Sequence, residues 1–90
     1  MKFRRKPTVV SAVQYKGPPF VGPGASRPLC AGLVWIRREE NGKTVYRPHT
    51  VTTAGRYSPV WPHDWVVKDP AGDGYYAVEP ATFPQLYEAA

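Results

Sequence analysis

Short apolar runs broken by Pro, Gly, Asn and Asp set the layout of this chain, and they predict strands and turns. Residues 9–15, VVSAVQY, place apolar groups on both faces of an extended segment. That is the pattern of an internal strand or of one carrying a bulge. Pro7 cannot donate to a ladder, so regular pairing is expected to begin after it. Residues 33–40 and 43–47 flank Asn41-Gly42. Asn-Gly is the strongest short hairpin signal, because both residues tolerate the positive φ of a type I′ turn. A two-residue turn dictates the register: Glu40 faces Lys43, Arg38 faces Val45, and Arg37 faces Tyr46, where a guanidinium can lie over the ring. The hairpin, residues 33–48, is polar on both faces toward its tip and is expected to project beyond the core.

Further along, residues 51–53 form a short strand ended by Ala54-Gly55. Residues 56–61 form another, confined by Pro59 to a sheet edge or a bulge. After a turn at 62–64, the run WVVK at 65–68 is the best candidate for a buried strand, and YYAV at 75–78 pairs back on it. Pro80 then opens a short helix, where its missing donor costs nothing. Phe83, Leu86 and Tyr87 share one helical face by their spacing, while Pro84 weakens the helix. Residues 17–28, GPPFVGPGASRP, read as a long surface loop that Phe20 pins to the core.

Composition agrees with this pattern. The bulky apolar residues are mostly aromatic or β-branched, and eleven prolines oppose long helices. The expected fold class is therefore mainly β, at the margin of α+β. Five or six short strands form a small antiparallel curled sheet or partly open barrel, and a short C-terminal helix covers one side. Ninety residues make a single domain, 1–90, with a modest core. A homodimer would supply apolar contacts that such a monomer lacks.

Charge and cysteine content narrow the function classes. Residues 1–38 hold eight cations and no acid, whereas residues 39–90 hold four cations against seven acids. A positive half suits a phosphate or an acidic protein, and equally keeps an edge strand soluble. Cys30 is the only cysteine, so no intramolecular disulfide forms and a reducing cytoplasm is the expected home. Ser11 and Gln14 interrupt the apolar stretch after the basic start, against a secretory signal, and no run reaches the length of a membrane span.

The two ends together resemble a set of small bacteriophage and prophage proteins of unassigned chemistry, which open with runs like KYRKKPVVVEAVQW and close with runs like PGDWIIKGVKGEFYPCKPDIFEKTYE. The opening matches through Lys2, Phe3, Arg4, Lys6, Pro7, Val9, Val10, Ala12, Val13, Gln14 and Tyr15. The closing matches through Pro62, Asp64, Trp65, Val66, Val67, Lys68, Tyr76, Pro80, Phe83, Tyr87 and Glu88, with Thr53 and Gly55 in a preceding turn. His63 stands at the glycine of PGDW, and Val78 at a position where cysteine is common. The resemblance implies a phage gene product acting in the cytoplasm of a bacterial host, and it implies no reaction.

Catalytic constellations are hard to build from these residues. His49, His63 and Cys30 have no zinc spacing, and no cofactor is called for. His63 and Asp64 are adjacent, but Asp64 is better suited to accept backbone donors in its own turn. The glycines at 17, 22 and 24 match no phosphate-cradling motif. The expected function is non-enzymatic: binding of a host or phage protein, with Trp35, Arg37 and Tyr46 as contact residues. Cross-strand packing is the competing role for Trp35. The alternatives are sequestration of a small anionic nucleotide, or binding of nucleic acid through the basic N-terminus, with Lys2, Arg4, Arg5 and Lys6 as anion contacts.

Overall fold

The computed structural model of the chain describes residues 9–88. It is mainly β, with two antiparallel three-stranded sheets and one short helix. The first sheet joins the two ends of the chain: β1 (Ala12–Gln14), β5 (Trp65–Lys68) and β6 (Tyr75–Val78), in the order β1-β5-β6. The second is built from the middle: β2 (Leu33–Glu40), β3 (Lys43–Val51) and β4 (Tyr57–Pro59), in the order β2-β3-β4. This is the expected mainly β fold with a short C-terminal helix; its strands divide between two small antiparallel sheets that pack on each other and do not close into a barrel.

In the first sheet, β5 is central and its Val66 and Val67 are buried, as the sequence pattern indicates. β1 is an edge strand, contrary to the expectation of an internal one. Its apolar residues divide: Tyr15, just beyond its end, enters the core, while Val13 points to solvent. Pairing continues past β1, where the Tyr15 N–H donates to Asp64 C=O (2.8 Å) and the His63 N–H to Tyr15 C=O (2.6 Å).

In the second sheet, the Asn-Gly turn fixes the hairpin register as expected, with Glu40 opposite Lys43, Arg38 opposite Val45 and Arg37 opposite Tyr46. Asn41 and Gly42 both take positive φ, 52° and 74°. The expected break between residues 47 and 51 does not occur: β3 runs straight through Pro48. The proline is tolerated because its nitrogen faces away from β2, at a position where only its carbonyl is paired, by Val60 N–H (3.0 Å). β4 lies at the sheet edge, where Pro59 can be accommodated.

The sheets meet at Tyr15, Val60 and Val66, with Cys30, Leu33, Trp35, Tyr75 and Ala77 packed around them. Burying side chains of this size contributes about 1.5–3 kcal/mol each. Close approaches between loops and strands complete the junction. Gly74 lies against the Thr53 backbone, and the Thr53 hydroxyl donates to Asp69 Oδ2 (2.7 Å) while accepting from Gly74 N–H (3.0 Å). Donors from Ala71 N–H and Thr53 hold the Asp69 carboxyl below its usual range.

The C-terminal helix α1 (Phe83–Leu86) is a single turn. It begins later than expected from Pro80, after a turn in which Thr82 and Phe83 donate to Glu79 C=O. Leu86 is largely exposed, so the predicted shared face is reduced to Phe83 and Tyr87. Phe83 stacks on Trp65, with centroids 4.1 Å apart and planes 8° from parallel. Tyr87 tilts against Phe83 and places its hydroxyl 2.5 Å from that of Tyr76.

These contacts have measurable consequences. Gly74→Ala would drive a methyl group into the Thr53 backbone, and a loss of about 2–3 kcal/mol is expected in chemical denaturation. Burial first, and then the Tyr87 hydroxyl, push the Tyr76 phenol up to about 12. A phenol with a raised folded pKa contributes stability that is complete below its ordinary value of 10.0 and is lost as pH rises through the folded one. The melting temperature should therefore fall between pH 10 and about 12. Tyr87→Phe should move the Tyr76 transition to lower pH, as followed by phenolate absorbance.

Candidate functional site

Directly opposed residues in an antiparallel sheet share a face. The register therefore puts Val34, Ile36, Arg38 and Glu40 of β2 on the same face as Val45, Arg47, His49 and Val51 of β3, and as Tyr57 and Pro59 of β4. Leu33, Trp35 and Val60 occupy the opposite, inner face, against the first sheet. On the outer face several large apolar side chains meet solvent. Val34 is 38% exposed, Tyr57 62%, and Trp61, which follows β4, 50%.

At the centre of this face lies Arg47, buried at 8% exposure. Its guanidinium sits 4.6 Å from the Trp61 ring centroid and 5.6 Å from that of Phe20. Its Nη2 donates to both oxygens of Glu40, at 3.0 and 2.8 Å, and Nε donates to Oε1 at 3.1 Å. These donors hold the Glu40 carboxyl below its usual range. Nη1 has no hydrogen-bond partner among the described residues. A guanidinium is suited to this position because its planar faces accept rings while its edge donates in a fixed fork. Phe20 is 41% exposed, and its ring beside Arg47 puts it on this outer face. The loop is anchored to β3 by its neighbour Val21, contrary to the expectation that Phe20 would pin it to the core. Val21 exchanges both backbone hydrogen bonds with Tyr46 (3.0 and 2.8 Å).

Trp35, Arg37 and Tyr46 share the inner face of the hairpin, but their environments differ. Trp35 packs edge-on to Tyr15, with centroids 6.3 Å apart, and belongs to the core. Tyr46 is covered by Arg27, whose guanidinium carbon lies 4.2 Å from the ring centroid. The expected stacking of Arg37 on Tyr46 is replaced by this contact, because the Val21 bridge carries the following loop back across the ring. Arg37 is exposed and lies 3.7 Å from Glu39. Lys2, Arg4, Arg5 and Lys6 lie outside the described residues.

His63 and Asp64 occupy one turn in different environments. Trp61, Pro62, His63 and Asp64 form a turn with proline second and a positive-φ residue third (His63, φ 75°), closed by Asp64 N–H to Trp61 C=O (3.0 Å). His63 is exposed and Asp64 is buried. The carboxylate accepts from Trp61 N–H (2.9 Å), as the sequence suggests, and burial raises its pKa. Burial likewise pushes the Cys30 thiol up, away from the reactive thiolate. Among the described residues no group of three or more His, Cys, Asp and Glu side chains could hold a metal, and no helix is long and apolar enough to cross a membrane. A shallow groove of about 330 Å³ runs between the sheets, lined by Leu33, Val34, Val51 and Tyr75, with Asp73 as its one charged residue.

The Arg47 cluster is not apparent from the one-dimensional pattern. The hairpin register places Arg47 and Glu40 on one face, which is the available signal. It separates them by four residues along the strand, and nothing in the spacing brings Phe20 and Trp61 over the guanidinium. Comparison with known proteins finds no matching family model, no matching curated protein and no matching solved structure.

The Glu40–Arg47 pair gives a pH signature. A carboxylate with a depressed folded pKa contributes stability that is present above its ordinary value and lost as pH falls through the folded one. Arg47→Met should remove that part of the acid dependence and return the Glu40 titration, followed by NMR, toward its usual range.

Proposed function

We propose that this protein is a non-enzymatic binding module that holds a host or phage protein against the outer face of its second sheet. The observation that carries this reading is the placing of exposed Phe20, Val34, Tyr57 and Trp61 on one face, with the Phe20 and Trp61 rings beside a buried arginine. Exposed aromatic residues beside a fixed arginine are the residue types that dominate protein interfaces. A monomer has no folding reason to leave four large apolar side chains in solvent on one side. The groove between the sheets offers an anion no cation, which weighs against nucleotide capture there. The resemblance of the two chain ends to small phage proteins supports a phage gene product working in the cytoplasm of a bacterial host.

The test is a pull-down from host and from phage-infected lysates with the purified protein as bait. A discrete protein should be retained by the wild type and lost with Tyr57→Ser combined with Val34→Thr. Both positions are exposed, so circular dichroism of the double variant should be unchanged. Retention of nothing by the wild type, or of the same protein by the double variant, would overturn the proposal.

A further inference from the structure

The free edge of β2 has a separate property that does not rest on the proposed binding face. Alternate residues of an edge strand turn their N–H and C=O groups either to the neighbouring strand or to the open side. On β3, Tyr46 pairs its backbone with Val21, and Pro48 C=O accepts from Val60, both on the side away from β2. The residues facing them, Arg37 and Trp35, must therefore turn their own backbone groups to the open edge. Glu39 follows by alternation. Among the described residues none of these groups has a backbone partner outside the hairpin.

Mixed charge at such an edge excludes most strands. Here it reads Arg37-Arg38-Glu39-Glu40, so the two residues that turn their backbone to the open edge, Arg37 and Glu39, carry opposite charges. We infer that β2 pairs edge to edge with β2 of a second copy, antiparallel about a two-fold axis through Arg38. In this register Arg37 and the second copy's Glu39 exchange both backbone hydrogen bonds, and the symmetric pair does the same. The two Arg37–Glu39 pairs then lie side by side across the seam, each with opposite charges directly opposed. The two Arg38 side chains meet at the axis, flanked diagonally by both Glu40 carboxylates. Arg38 already lies 3.8 Å from Glu40 of its own chain. A shift of the register by two residues toward the strand start would set Arg37 against Arg37 and lose both Arg37–Glu39 pairs. The product is a continuous six-stranded sheet with a short, polar seam, and hence a weak, salt-sensitive dimer.

Sedimentation velocity of the full chain over a range of concentrations tests this. A concentration-dependent dimer is expected at low salt, and it should dissociate at about 1 M salt, where the Debye length is ~3 Å. Arg37→Glu sets like charges opposite each other twice and should weaken the dimer about tenfold or more. Combining Arg37→Glu with Glu39→Arg reverses both charges and should restore it. A chain that stays monomeric at low salt, a dimer indifferent to Arg37→Glu, or a charge-swapped double variant that remains as weak as the single one would each overturn the inference. All of these side chains are exposed, so folding of the variants is readily confirmed by circular dichroism.

Discussion

The backbone pairing of Tyr46 with Val21 is the contact on which the second sheet depends. One pair of hydrogen bonds ties a glycine- and proline-rich loop to the middle strand, beyond the reach of β4. Its consequences spread in both directions along the chain. Phe20, one residue before the bridge, comes to lie near the Arg47 guanidinium, and Arg27, six residues after it, over the Tyr46 ring. On the other side of the strand, the alternation set by the Asn41-Gly42 turn gives Tyr46 to Val21 and turns the Arg37 backbone to the open edge. The loop thus acts as a partial fourth strand, and the chemistry of both hairpin faces follows from it.

The first sheet is held differently. Its three strands come from the two ends of the chain, so contacts between residues distant in sequence must close it. Tyr15 is the joint. Its backbone pairs with the turn before β5, its ring meets Trp35 of the other sheet, and its hydroxyl donates to Pro18 C=O (2.7 Å). One residue thereby links both sheets and the start of the loop. The glycines fit this economy of space. Gly32, at φ 85°, presses against the Tyr75 ring, where a side chain would collide and where left-handed backbone already favours glycine.

Much of this architecture was legible in the sequence wherever a local rule sufficed. Asn41-Gly42 determined the hairpin and its register, the apolar run at 65–68 marked the central strand of the first sheet, and Pro59 marked an edge. The failures occurred where tertiary contacts outweigh local preference. β1 looked internal because its apolar residues fall on both faces, yet Val13 faces solvent. The strand expected to end at residue 47 runs on to Val51, because the Pro48 nitrogen lies where no donor is required. The candidate contact residues Trp35 and Tyr46 share the inner face of the hairpin, which their residue types alone do not show. The Arg47 cluster depends on a loop returning over the sheet, and no spacing rule encodes that return.

The turn before β5 shows how misleading a single polar residue can be. Its third position demands left-handed backbone, which glycine adopts freely and other residues adopt under strain. His63 occupies it with φ 75°. What is selected at this corner is the handedness of the main chain, and the imidazole is a tolerated guest displayed outward by the bend. A polar ring has thus been set on the surface at a position with a geometric demand, beside a carboxylate already engaged in closing the same bend.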